Sequence, residues 1–167
     1  LVLCMAAIMA VAALVAGCGG DQKAASDNKV LKVGTNADFA PFEFQDENGK
    51  EYQGFDMDLI RAIGEEMGYK VEISNIQFDG LIPAIQAGNI DVAITGMTIN
   101  EERKQNVLFS DPYYKSGLSI IVAKDNNDIK TFQDLKGKKV AVQIGTTSAA
   151  EVNKIGGVEV KEFNSSA

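Results

Sequence analysis

The sequence has 167 residues, 16 Lys and Arg against 23 Asp and Glu, a formal net charge of -7, and neither His nor Trp. Without His, a Ser-His-Asp triad and a His-rich zinc site are excluded, and the acidic balance argues against nucleic acid, whose phosphates need Lys and Arg. The only cysteines, Cys4 and Cys18, lie in an apolar N-terminal stretch, so the rest of the chain has no disulfide framework and no thiol nucleophile. No metal, cofactor or catalytic set is expected.

Residues 1–18 carry no charge and read LVLCMAAIMAVAALVAGC. A span of about 20 apolar residues can cross a bilayer. The alternative is an export leader. Val15-Ala16-Gly17-Cys18 decides between them, because small residues before a Cys resemble a bacterial lipobox, where the thiol is acylated and the leader removed. Residues 1–18 are therefore expected to be a lipoprotein signal peptide with Cys18 as the lipidated residue. Cys4 reads as a passive apolar residue. With no initial Met and no basic opening, the N-terminus looks clipped. Residues 19–29, small and polar, form a flexible tether.

The body begins with an alternating strand, Val30 to Gly34. Asn36 to Phe44 reads as a loop around Pro41, and Asn48-Gly49 as a turn. Phe55 to Met67 places Met57, Ile60, Ile63 and Met67 at helical spacing, closed by Gly68. Val71 to Ile76 is a strand. Asp79 is expected to cap a short helix running to Gln86, with Gly88 ending it. Asp91 to Gly96 is an apolar strand, and Asn100 caps the turn EERKQ. Ser119 to Ala123 reads as a strand, and Thr131 with Asp134 as a capping box. Val140 to Gln143 is a strand, Thr147 to Ile155 a helix and Val158 to Phe163 a strand. Asn164 to Ala167 look like the opening of a further helix. Strands alternating with helices give an α/β fold with largely parallel sheets.

Five segments carry one resemblance. Gly54-Phe55-Asp56-Met57-Asp58-Leu59, followed by Ile63, Gly64 and Met67, resembles the signature of the family 3 extracellular solute-binding proteins, the polar amino acid receptors of ABC importers. Thr35 to Phe44 resembles the family's first ligand loop and Asp91 to Arg103 its second. Phe109 to Tyr114 resembles the run into the hinge, and Val140 to Ser148 the ligand loop of the second lobe. The match runs in register from about Val30 onward and is most similar to the glutamine and basic amino acid receptors. It implies a two-lobed, type II periplasmic-binding-protein clamp: lobe 1 over 30–112, a hinge at 113–117, and a second lobe, 118–167, truncated before it is complete. It also implies extracytoplasmic capture of an amino acid such as glutamine, arginine, lysine or histidine. Delivery would be to an ABC permease, by a monomer held to the membrane through its lipid anchor. Relatives meet the ligand ammonium with a carboxylate late in the second lobe, which finds no match here, so this fragment is expected to bind poorly.

The candidate ligand-binding residues follow. Arg103 offers a planar fork of donors suited to a carboxylate, beside Thr98. Taken locally, with Glu101, Glu102 and Lys104 as neighbours, Arg103 reads as a solvated helix charge; the resemblance reverses that. Thr95, Gly96 and Met97 lie at the C-terminal end of a strand, where ligands of open α/β sheets bind. Gln143, Thr146 and Thr147 hold the equivalent place in the second lobe, with helix capping as their plainer role. Phe39 and Phe78 match aromatic positions that sandwich the ligand side chain, although locally they read as core. Asn36 stands where some relatives carry Asp, which favours a neutral polar ligand. Asp56 and Asp58 are assigned to the helix dipole. As a catalytic or metal pair they are disfavoured, because residues two apart on a helix do not share a face.

Two other functions share this fold. An enzyme such as a dehydratase or cell-wall lyase would need Glu, Asp, Lys or Tyr converging on the cleft, and no such set is visible; the reading is of a binding protein, not an enzyme. A sensory ectodomain would keep a spanning helix in place of a lipobox and tether.

Overall fold

A computed structural model of the protein describes residues 29–166; the expected signal peptide, Cys18 and nearly all of the tether lie outside these residues. The first body is built on β1 (Lys29–Thr35), which lies between β5 (Tyr69–Asn75) and β6 (Val92–Ala93), both parallel to it. Three short antiparallel strands, β2 (Asp38–Phe39), β3 (Glu43–Gln45) and β4 (Tyr52–Gln53), form a second small sheet. The loop expected over Asn36 to Phe44 thus contains two paired strands, joined through a cis Ala40–Pro41 bond.

Helix α1 (Phe55–Met67) covers the parallel sheet. Its helical spacing brings Met57 and Ile60 onto one face, where they meet Val33 and Ile94, with Leu31, Val71, Ile73 and Val92 packed around them. Each such fully buried side chain contributes roughly 1.5–3 kcal/mol. The helix stops at Gly68, whose φ of 72° is the left-handed conformation that glycine adopts freely. Ile63 and Met67 share that helical spacing but are exposed, at the edge of the apolar face.

Asp79 does not cap the next helix. It lies inside a 3-10 turn, Phe78–Gly80, and α2 (Leu81–Gln86) starts after Gly80 with no side-chain cap. Asn100 does cap α3 (Glu101–Lys104): its Oδ1 accepts from Arg103 N at 2.8 Å.

The second body holds β7 (Lys139–Gln143) parallel to β8 (Glu159–Phe163), with α4 (Thr147–Asn153) between them in sequence. Leu135, Val142, Ala149 and Val152 form its core. Thr131 and Asp134 make the expected capping box, here on a 3-10 turn, Phe132–Leu135. Ser119 to Ala123 is not a strand. Its alternation suits one, but a strand exists only by pairing, and this segment pairs with none of the described strands; Ile121 is left 95% exposed. Asn164 to Ser166 are not helical. No helix among the described residues is long and apolar enough to cross a membrane.

Candidate ligand-binding site

The C-terminal ends of β1, β6 and β7 meet. Asn36, just beyond β1, donates its backbone N–H to Thr95 Oγ1 at 3.1 Å, tying the ends of β1 and β6 together. Across the gap between the two bodies, Gln143 Nε2 donates to Asn36 Oδ1 at 2.6 Å. The hydroxyls of Thr98 and Thr147 lie 3.4 Å apart. At the outer edge Ser166 donates its hydroxyl to Asp38 Oδ1 at 3.2 Å. The two bodies therefore face one another over a short polar seam.

Arg103 occupies the middle of that seam. Glu101, Glu102 and Lys104 on the same short helix are exposed, while Arg103 is only 8% exposed. The Asn100 cap turns its side chain inward. Nη1 donates to Thr98 O at 2.7 Å, and Nη2 reaches Gly145 O of the second body at 2.9 Å. The guanidinium also lies 5.4 Å from the centre of the Phe78 ring, a cation–π distance. Burial pushes its pKa below the usual arginine value, with Glu102 opposing the shift. No carboxylate pairs with it among the described residues. A buried cation bonded only to neutral carbonyls costs several kcal/mol unless an anion joins it.

The remaining candidates divide by what their polar atoms already do. Thr95 Oγ1 donates to Glu43 Oε1 at 2.9 Å, and Gly96 N donates to Asp56 Oδ2 at 2.9 Å, so both are bound inward. Thr146 caps α4: its hydroxyl accepts from Ala149 N at 3.2 Å and donates to Gln143 O at 2.8 Å. Phe39 is half exposed beside Gly96, stacked on Phe42 at 5.9 Å. Phe39, Thr95 to Thr98 and Thr147 line a cavity of about 1440 Å³ that runs on along the segment Val107 to Leu118. Asn36, Phe78, Arg103, Gln143 and Thr146 lie on the seam rather than on that cavity's wall. Among the described residues no group of His, Cys, Asp and Glu could hold a metal ion.

The model of the bacterial extracellular solute-binding proteins, family 3, matches residues 31–164. The chain belongs to this family. Among its relatives, the arginine-binding extracellular protein ArtP of Bacillus subtilis is 39% identical over 77% of this chain and 50% of its own length. A probable histidine-binding protein of Campylobacter jejuni is 37% identical over 82% of this chain and 53% of its own length. Among solved structures, an ancestral arginine-binding protein bound to arginine superposes with a TM-score of 0.79 at 55% identity, covering 81% of this chain and 61% of that one. An ancestral arginine-binding protein bound to glutamine superposes with the same TM-score of 0.79 at 55% identity, covering 81% of this chain and 60% of that one. The mixed α/β fold is thus that of the periplasmic binding proteins, and the chain spans about half the length of the curated relatives it matches.

Family 3 membership leaves unexplained the buried polar group beneath the site, which sequence reasoning missed. Glu43 and Asp56 are both sealed from solvent, Glu43 at 1% exposure. Tyr113, at the entry to the expected hinge, donates its hydroxyl to Asp56 Oδ2 at 2.8 Å. Burial first, and Asp56's charge second, push the Glu43 carboxyl up to about 9. Partial burial of the hydroxyl and its bond to Asp56 raise the Tyr113 phenol well above its ordinary value, although the residue as a whole is exposed on the cavity wall. The only sequence signal was the pair of acidic residues in PFEF and GFDMDL, and nothing in spacing alone places them together.

Proposed function

We propose that this protein captures a polar amino acid outside the cytoplasm and delivers it to an ABC permease, with Arg103 gripping the ligand's carboxylate. The observation that carries this reading is Arg103 itself: buried, oriented by two carbonyls, without a carboxylate partner among the described residues, and placed between the two bodies. A ligand carboxylate would supply the missing anion as a charge-assisted, two-pronged bond. Asn36, Phe39, Phe78, Thr95, Gly96, Met97, Thr98, Gln143, Thr146 and Thr147 are assigned to the same site. Thr95 and Thr146 act by shape and positioning, since their hydroxyls are already bonded. The ligand class is an amino acid with a cationic or amide side chain, in line with relatives named for arginine and histidine and a neighbour bound to arginine or glutamine.

We assign the protein no catalytic role. One solved neighbour is described as an amino acid-binding precursor of cyclohexadienyl dehydratase. Such chemistry needs an acid and base converging on the cleft, whereas Glu43 faces inward and Tyr113, on the cavity wall, is already bonded to Asp56. Lobe 1 over 30–112, the hinge at 113–117 and the second lobe from 118 remain our division of the chain. Calorimetry on the full-length protein with arginine, lysine, histidine and glutamine tests the reading; heats no larger than dilution for all four would end it. The anchor has its own test. Cys18→Ala should leave the leader uncleaved or the protein free of membranes, and a variant that fractionates like wild type removes the lipobox.

A further inference from the structure

Beneath the candidate site, hydrogen bonds from the ligand loops and the hinge converge on two buried carboxylates. Gly96 N–H and the Tyr113 hydroxyl both donate to Asp56 Oδ2, at 2.9 and 2.8 Å. Thr95 Oγ1 donates to Glu43 Oε1 at 2.9 Å and accepts from Asn36 N. The other two oxygens, Glu43 Oε2 and Asp56 Oδ1, are buried without any donor. As two carboxylates they cannot bond each other; with one proton between them they can. Two uncompensated charges in one sealed space would be prohibitively costly, so the proton belongs to the folded state.

We propose that the Glu43–Asp56 pair is a positioning device that fixes the Thr95–Gly96 turn of the ligand site and ties it to the hinge through Tyr113. Aromatic contacts run alongside this path: Phe55 stacks on Tyr113 at 6.1 Å, and Phe42 meets Tyr114 edge-on at 4.9 Å. Any swing of the second body about residues 113–117 therefore pulls on the group that aims Gly96. The proposal rests on the amino acid-binding reading only for its consequence on affinity; the brace itself is independent of the ligand.

One proton makes the brace sensitive to alkali. The groups facing Glu43 are Asp56 from α1, the Thr95 hydroxyl from the turn after β6, Asp38 from β2 and Tyr113 from the hinge, with no cation among them. Glu43 holds its proton up to about pH 9 when folded, against 4.5 ordinarily. Folded protein therefore binds more protons than unfolded across that window, and stability falls as pH rises through it.

The test reads the Gly96 amide by NMR and ligand affinity by calorimetry in the full-length protein. In wild type the Gly96 resonance should titrate with a midpoint near 9, as the shared proton leaves. Glu43→Gln, which keeps the shape and supplies a fixed donor, should abolish that titration. Tyr113→Phe should shift the Gly96 resonance without unfolding the protein. Affinity for arginine or glutamine should drop about tenfold in Glu43→Ala, the cost of an orphaned buried group, and recover in Glu43→Gln. A Gly96 resonance indifferent to Glu43→Gln and to pH overturns the brace. Wild-type affinity in Glu43→Ala overturns its role in binding. Failure of wild type to bind either ligand, with the Gly96 titration intact, ends the proposed function and leaves the brace standing.

Discussion

Arg103 and the Glu43–Asp56 pair are both buried in the first body, and the fold treats them in opposite ways. The carboxylates are closed in on themselves: a tyrosine, a threonine hydroxyl and a backbone amide converge on them, and in the brace we propose the proton on Glu43 completes the set. Arg103 is held by two carbonyls, with no anion beside it among the described residues. A buried group satisfied from within holds a structure in place, whereas a buried charge satisfied only from outside asks for a ligand. The contrast assigns roles that burial alone would not separate.

The comparison breaks first at Arg103. Arg103→Ala should weaken amino acid binding by about 2–5 kcal/mol, the usual loss when a buried charge pair loses one member. Its thermal midpoint should stay near wild type, since the variant also removes a buried cation that the free protein leaves unpaired. A large stability loss with little change in affinity would make Arg103 a structural pin across the seam, through Gly145, and would erase its difference from the carboxylates.

Next comes the assembly of the pair. Gly54 has a φ of 117°, and a Cβ there would lie 2.2 Å from Phe42 O. Only glycine lets β3 approach the start of α1 closely enough for Glu43 to meet Asp56. Gly54→Ala should therefore cost about 1–3 kcal/mol of stability, read by chemical denaturation, and should expose the pair to water. An alanine variant as stable as wild type would show that this approach is not constrained.

Helix α1 and its Gly68 stop were legible because periodicity and a left-handed cap are local properties, and so were the Asn100 cap and the Thr131–Asp134 box. The burial of Arg103 was not. EERK reads as a surface turn, and what hides its third residue is Phe78 and Gly145, which arrive from distant parts of the chain. Only the resemblance to the family pointed there. The carboxylate pair was invisible for the same reason. Glu43 sits in a segment that reads as loop, and its pairing into β3 depends on β2 and β4. Asp56 and Asp58 do part company as expected, one buried and one exposed, yet the partner of Asp56 is on another element.

The smallest expected effect is also the sharpest probe, because Asn36 stands between the turn that bonds Glu43 and the second body. Its N–H bonds Thr95, which bonds Glu43, and its side-chain oxygen receives Gln143 from the second body. Asn36→Asp keeps an acceptor for Gln143 and adds a negative charge at the seam. That charge attracts a cationic ligand side chain, and water and desolvation reduce the gain from its full Coulomb value. Preference for arginine or lysine over glutamine should rise about tenfold, ~1.4 kcal/mol, measured by competition binding. The added charge also sits on the residue whose backbone N–H bonds Thr95, the donor to Glu43, so it should hold the Glu43 proton more firmly and move the Gly96 titration to higher pH. A preference shift without that second effect would separate ligand recognition from the brace. A moved titration with unchanged preference would take Asn36 out of the ligand site and leave it as the link between the two.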